Sequence, residues 1–322
     1  MNNKIKNNIS DSSEQLLQKD LDQIFDQQTY YTIDQSKINF NKDIKKTKLV
    51  MSGGGVKGIC HIGALYALEQ LGILKNIITY VGSSVGAMVS VFLYIGYDIM
   101  DIYKMIELID FSKIKEIIFE NLLTQYGLDN GNKITIVFNK MFVAKNINPN
   151  ITFRDMYACN KKTLIITATC VNDKKVYYFS HETSPDMPII IALRMSISIP
   201  LYFTPVLYKG NLYIDGGCID NYPIHLFNNS LNKNCMDEVI GLCISNIKNT
   251  SNDINNIEEY VYHTIQCLME GHTINSIKGY EYCSIKIEST DVSSIDFTLD
   301  KISKQKLFDN GYNTAMKYYT DQ

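Results

Sequence analysis

Tryptophan is absent from this chain of 322 residues, and it holds only six prolines and five histidines. The missing tryptophan, set beside frequent Asn, Ile, Lys and Tyr, points to an AT-rich coding bias more than to chemistry. Nowhere do about 18 apolar residues follow one another, which removes the signal for a membrane-spanning helix. The opening stretch from Met1 to Asn8 has no apolar h-region, so no secretory signal peptide is expected. The eight cysteines (Cys60, Cys159, Cys170, Cys218, Cys235, Cys243, Cys267 and Cys283) include no C-x-x-C pair. They read as reduced core thiols, so neither a disulfide frame nor a zinc site is expected. One-sided charge is lacking as well: 31 Lys and Arg against 34 Asp and Glu leave a net charge of -3, which offers no footprint for nucleic acid. The expectation is an intracellular protein, cytoplasmic or peripherally bound to a membrane, without metal or cofactor.

What the chain does contain is apolar substance and alternation. A hydrophobic content of 45% supplies the core of one large domain, or of one domain with extensions. Residues 1–45 form a polar extension; within it Leu16, Leu17, Leu21 and Ile24 fall at helical spacing, with Ser12 and Gln15 placed as a capping box, which predicts a short helix over 12–25. From Lys48 onward the pattern predicts a strand over 47–52, a helix over 57–71, a strand over 77–82 and a helix over 85–96. Helical segments from 99 to 144 and β runs at 163–170 and 174–180 follow. Pro188 suits the first turn of a helix that Pro200 ends, and Val206 to Ile214, broken at Lys209-Gly210-Asn211, reads as a β-hairpin. Strands near 239–245 and 281–287, with helices near 253–271 and 301–319, complete the same fold over 229–322. Such alternation predicts an α/β fold: a central, mostly parallel sheet flanked by helices. No internal repeat is visible.

Three glycine-bearing motifs sit at strand ends. The first, Gly53-Gly54-Gly55-Val56-Lys57-Gly58, follows the apolar Lys48 to Met51 and runs into an apolar helix. Its N–H groups suit a phosphate or the oxyanion of an acyl-transfer intermediate. The second, Gly82-Ser83-Ser84-Val85-Gly86, lies between a strand and a helix, the context that a G-x-S-x-G nucleophile elbow requires. It puts the Ser84 hydroxyl at a helix N-terminus, where backbone dipoles favour negative charge. The third, Asp215-Gly216-Gly217, delivers one carboxylate into a glycine turn after the β-like Leu212 to Ile214. Each alone also fits a plain structural role: strand-to-helix packing for Gly82 to Gly86, a turn for the triple glycine, an Asx-turn for Asp215.

Their order resembles the patatin-like phospholipase family. That family pairs a G-G-G-x-[K/R]-G loop with a G-x-S-x-G serine and a D-G-[A/G] aspartate, matched here by Gly53 to Gly58, Gly82 to Gly86, and Asp215 to Gly217. Softer matches at Tyr126 to Leu128, Ile151 to Phe153, Ile165 to Thr169, Met195 to Phe203 and Asp220 to Ile224 extend the resemblance over residues 47–228, with a catalytic domain placed at 46–228. The resemblance implies a lipid acyl hydrolase acting on glycerophospholipid or another lipid ester, with peripheral membrane contact. In it Ser84 is the nucleophile, Asp215 the proton acceptor, and Gly53, Gly54, Gly55, Val56 and Gly58 the oxyanion loop. A carboxylate is an effective base only when burial raises its pKa, so apolar surroundings are expected for Asp215.

Two rivals stay open at this point. A Ser-Asp-His esterase requires His225, His263 or His272 to complete a triad. Gly53, Gly55 and Gly58 also satisfy the G-x-G-x-x-G of a dinucleotide site, but the acidic residue wanted about 20 positions on is missing at Val81 to Ser84. His61 lies beside the loop and His181 in a polar stretch. Lys57 reads either as a contact to a phosphate head group or as a solvated lysine opening a helix. Leu201 to Phe203 and Tyr177 to Phe179 read as acyl-pocket lining or as core.

Overall fold

A computed structural model describes residues 45–109, 114–228, 236–246, 254, 257–289 and 299–320; the helix expected over 12–25 lies outside them. The described residues form ten strands: β1 Lys48–Met51, β2 Thr79–Ser83, β3 Gly127–Asp129, β4 Thr163–Cys170, β5 Lys175–Phe179, β6 Leu201–Phe203, β7 Val206–Tyr208, β8 Asn211–Asp215, β9 Val239–Asn246 and β10 Ser284–Ser289. The helices are α1 Ile59–Gln70, α2 Val85–Tyr94, α3 Ile99–Leu108, α4 Phe119–Gln125, α5 Asn132–Ala144, α6 Phe153–Asn160, α7 Ile189–Ser196, α8 Ile257–Ser276 and α9 Lys301–Thr320.

The main sheet runs β10-β9-β1-β2-β4-β8-β7, with β5 paired to β4. Parallel ladders join β10 to β9, β9 to β1, β1 to β2 and β2 to β4. Helices cover both faces, so the central strands read as unbroken apolar runs: Leu49, Val50 and Met51 are fully buried. The fold class is α/β, a largely parallel sheet between helices. Among the described residues no helix is long and apolar enough to cross a membrane.

Two local expectations are corrected. The segment 99–144 is not wholly helical, because β3 interrupts it and pairs with β6 in a separate two-stranded sheet. Tyr126, in the left-handed region at φ 64, stops α4, and the Asp129 carboxylate then accepts from the amides of Glu116 and Gly131. Pro188 stands one place before the expected first turn, as the extended residue (φ -61, ψ 133) that precedes α7; proline's fixed φ suits both positions.

The register around β4 sets up everything that follows. Thr167 faces Ser83 on one side and Tyr178 on the other, and the next residue, Ala168, faces Asp215 and Tyr177. β2 and β8 therefore lie end to end along one edge of β4, with β5 along the other. Two segments more than 130 residues apart in sequence thus bring Ser84 and Asp215 to the same point of the sheet.

α9 is held to α3 by a buried lysine. Lys304 Nζ donates to the carbonyls of Ile106, Glu107 and Ile109 at 2.9, 3.3 and 3.0 Å, satisfying the end of α3 where partial negative charge gathers. Lys304→Met should lower unfolding stability by about 2–3 kcal/mol, since buried carbonyls lose a charged donor. A denaturant titration checks it.

Candidate functional site

Ser84 occupies a backbone conformation that side chains rarely adopt, φ 53 and ψ -124. Such a geometry costs on the order of 1–3 kcal/mol and persists only where the surroundings enforce it. Here the Ser84 amide donates to Ser196 Oγ at 3.0 Å, and its carbonyl accepts the Met88 amide at 3.1 Å as α2 begins. Gly82 and Gly86 permit the close crossing of strand and helix: a Cβ on Gly86 would stand 2.4 Å from the Met51 carbonyl oxygen, and one on Gly82 2.3 Å from the Gly86 backbone. The serine side chain is thereby held at the helix start, 5% exposed.

Asp215 ends β8 and is fully buried. One carboxylate oxygen, Oδ1, accepts the Gly217 amide at 2.8 Å; the other, Oδ2, is buried and makes no hydrogen bond. Burial pushes the Asp215 pKa up to about 7, and the Ser84 hydroxyl and the Gly217 amide hold it from going higher. The hydroxyl is thus near enough to act on the carboxyl but does not complete a hydrogen bond to Oδ2. The burial that raises a carboxylate pKa is present at Asp215, and the residue is also an Asx-turn aspartate.

The glycine loop carries β1 into α1. Gly55 lies in the left-handed region at φ 57, whereas Gly54 is extended at φ 167, so the demand for glycine backbone freedom falls on Gly55. The five loop residues are not equivalent. The Gly53 amide is spent on the Asn221 carbonyl at 3.1 Å, and Gly58 closes the 3-10 turn Gly55–Gly58, where its missing Cβ makes room for Val85. The amides of Gly54, Gly55 and Val56 stand at the opening of that turn, where a helix leaves its first N–H groups without an intrahelical partner. Ser52 steadies the loop, its hydroxyl donating to the Gly53 carbonyl and accepting the Ile244 amide.

Ser84 stands where two lobes of one cleft meet. A lobe of about 800 Å³ is walled by aliphatic side chains, Met88, Val89, Ile106, Ile134, Ile197 and Leu299 among them, with Phe203 at its side. A second, of about 540 Å³, is the more polar of the two and is bounded by the glycine loop, Asn221, Ile244 and the α8 residues Gln266, Met269, Glu270 and Thr273. Ser84, Gly55 and Ile199 line both. Of the aromatic residues expected near an acyl pocket, Phe203 reaches the apolar lobe. Tyr177, Tyr178 and Phe179 do not line either lobe: they lie on β5, across β4 from Ser84, where Tyr177 and Phe179 pack on Tyr213. Lys57 is buried, not solvated; it lines neither lobe, and its charge acts on Glu270.

Four of the five histidines have other surroundings. His61 is fully buried, donates Nε2 to the Ser52 carbonyl at 2.8 Å, and is pushed down to about 4 by desolvation, so it is a neutral support of the loop. His181 stacks on Tyr157, and His225, in the 3-10 helix Pro223–Phe227, faces Asp220 and Tyr178. His272 acts on Asp220. Among the described residues no histidine is one of the groups acting on the Asp215 carboxyl.

A profile described as patatin-like phospholipase matches residues 49–228, more than half of the chain. The chain belongs to the patatin-like phospholipase family. It is 35% identical over 281 residues to the uncharacterized protein R571 of Acanthamoeba polyphaga mimivirus, covering 83% of this chain and 91% of that one. It is 32% identical over 202 residues to the probable lipid hydrolase 463L of Invertebrate iridescent virus 6, covering 60% of this chain and 68% of that one. Among solved structures, VipD from Legionella pneumophila superposes with a TM-score of 0.55 at 18% identity, over 93% of this chain and 73% of its own, a likeness of fold. The family match stops at residue 228, so β9, β10, α8 and α9 lie beyond it, and α8 builds the wall of the polar lobe.

Asn221, Gln266, Glu270, Thr273 and the aliphatic lining from α3, α5 and Leu299 are the site residues that sequence reasoning did not assign. Asn221 stood inside the Asp220 to Ile224 stretch without a role. α8 carried only helical periodicity, which does not say which cleft a helix borders.

Proposed function

We propose that this chain is a serine lipid acyl hydrolase that releases fatty acid from glycerophospholipid. The observation that carries the reading is a buried carboxylate with a free oxygen beside the Ser84 hydroxyl, at the mouth of an aliphatic lobe. Asp215 Oδ2 takes the Ser84 proton as Oγ attacks the ester carbonyl carbon, and a base with a pKa near 7 matches that task at neutral pH. The amides of Gly54, Gly55 and Val56 hold the developing oxyanion, an arrangement worth most where water is excluded. Collapse of the tetrahedral intermediate breaks the bond to the alcohol oxygen, which leaves with the proton from Asp215. Water, losing a proton to the same carboxylate, then attacks the acyl-serine; the fatty acid departs and the serine regains its proton. The aliphatic lobe suits the acyl chain and the polar lobe the head group. Exposed Phe119, Leu123 and Tyr126 on and just after α4, with Leu201 of β6, support contact with a lipid surface close to Phe203.

A fluorophosphonate probe tests covalency, because only an activated serine reacts with it. Labelling is expected at Ser84 alone and absent in Ser84→Ala. Ser83, Ser196 and Ser198 are fully buried, so a labelled peptide containing any of them instead of Ser84 would overturn the assignment. Fatty-acid release from phospholipid, triacylglycerol and soluble esters, run in parallel, tests the substrate class.

A further inference from the structure

The polar lobe holds two acceptor oxygens that lack donors. Asn221 Oδ1 and Glu270 Oε1 are both buried, both without a hydrogen bond, and both residues line this lobe together with Ser84. The orientation of the Asn221 amide is set by its neighbours: Nδ2 donates to Thr273 Oγ1 at 2.7 Å, and that hydroxyl gives its own proton to the Met269 carbonyl at 3.0 Å. Turning the amide over would set Oδ1 against an oxygen whose proton is already given, so Oδ1 stays turned toward Gly53, which borders the lobe. Gln266, Glu270 and Thr273 follow at spacings of four and three along α8 and so share one helix face. That face borders the cleft.

Buried acceptors without partners are rare in folded proteins and ask for a donor from outside. The chemistry of the donor can be narrowed. Among the described residues no aromatic ring lines the polar lobe, whereas a quaternary ammonium is bound chiefly through aromatic faces and has no N–H to offer. A primary ammonium has three N–H donors and a full positive charge for a carboxylate. Burial raises the Glu270 pKa and the charge of Lys57, itself outside the lobe, opposes that rise, so a cationic ligand would favour the ionised carboxylate further.

We infer that the polar lobe selects a phospholipid head group ending in a primary ammonium, the ethanolamine type, with Glu270 and Asn221 as its acceptors. The inference rests on the ester-hydrolase reading above and adds the head group to it. Asn221 lies within the family match and Glu270 of α8 beyond it, so the selectivity joins the shared catalytic span to this chain's C-terminal part.

The experiment compares kcat/KM on phosphatidylethanolamine, phosphatidylcholine and phosphatidylglycerol of identical acyl composition, each presented in the same mixed detergent micelles. The wild-type chain should favour ethanolamine over choline by about tenfold or more, the range expected for a charged hydrogen bond. Glu270→Gln, isosteric and uncharged, should bring that ratio close to one, chiefly through KM on the ethanolamine lipid. Glu270→Lys should move the preference toward the anionic glycerol lipid, a gain that an unfolded variant cannot show. Thr273→Val, which frees the Asn221 amide to turn, should lower the ethanolamine-to-choline ratio as well. Equal wild-type rates on ethanolamine and choline lipids, or a Glu270→Gln variant that loses activity on all three in parallel, overturns the inference and leaves the hydrolase reading standing. Release of fatty acid from none of the three lipids overturns both.

Discussion

Ser84→Ala and Asp215→Asn are each expected to lower fatty-acid release by about 10⁴-fold or more, and the double variant should lose little beyond either single one. Residues that act as one unit are not additive: once the serine has no base, removing the serine costs little more. The geometry singles out these two. The Asp215 carboxyl has one oxygen fixed by the Gly217 amide and the other free beside the serine, and the groups that lower its pKa against burial are the Ser84 hydroxyl and the Gly217 amide. Near-normal turnover by Asp215→Asn, or collapse of activity when His263 or His272 alone is replaced, would reject the dyad. The wild-type pH profile gives a second check. Since the base must be ionised, kcat/KM should rise with pH and level off above about 7, falling about tenfold per unit below it.

The same carboxyl makes a stability prediction of opposite sense. Its folded pKa of about 7 lies above the unfolded value of 3.8, so between these pH values the folded chain binds the proton that the unfolded chain has released. Stability therefore falls as pH rises from about 4 to about 7 and stays low above that. A shift of this size corresponds to on the order of 4 kcal/mol, at about 1.4 kcal/mol per unit. Asp215→Asn removes the ionisation and should raise the unfolding midpoint at pH 8, with no gain at pH 4. An inactive variant that is more stable than its parent at alkaline pH separates loss of the base from loss of the fold. Equal midpoints of variant and parent at pH 8 would mean that Asp215 is not held near 7.

Much of this was legible in the sequence because the motifs act locally. A strand, a tight turn and a helix within about ten residues fix the Ser84 elbow, and the triple glycine does the same for the loop. What sequence could not supply was the meeting of distant segments. The placing of Asp215 against Ser84 depends on β4, whose neighbouring residues Thr167 and Ala168 bind the ends of β2 and β8, and a register of that kind leaves no local pattern. The strand β3 was missed for a related reason: three residues are too few to show period-two alternation, and its partner β6 lies over 70 positions away. The Gly53 amide was counted with the oxyanion donors because spacing alone does not reveal that Asn221 takes it. α8 was expected as a helix near 253–271, but its apolar periodicity marks the face turned to the core, not the polar residues that border the cleft.

Gly55→Ala should lower kcat by about 10² to 10³ while leaving KM within a fewfold of wild type. Gly55 is the loop residue at positive φ, a region in which alanine costs roughly 1–2 kcal/mol. The chain can relieve that strain by rotating the neighbouring peptides, which turns the Gly55 or Val56 amide away from the ester oxygen. Loss of one such donor costs about 10² to 10³ in rate, because the bond is made to charge that exists only in the transition state. Ground-state binding depends on the two lobes, to which a methyl at position 55 adds little, so the penalty falls on kcat. Destabilisation should stay near the strain itself, about 1–2 kcal/mol, and a melt of the purified variant measures it. A glycine loop serving a nucleotide phosphate predicts the reverse. Wild type would then bind ATP or NAD at micromolar concentration, Gly55→Ala would lose that binding, and esterase activity would persist. Calorimetric titration with both nucleotides, beside the kinetics, decides between the two. Heat of binding in wild type that vanishes in the variant, with kcat unchanged, would remove the loop from the hydrolytic site.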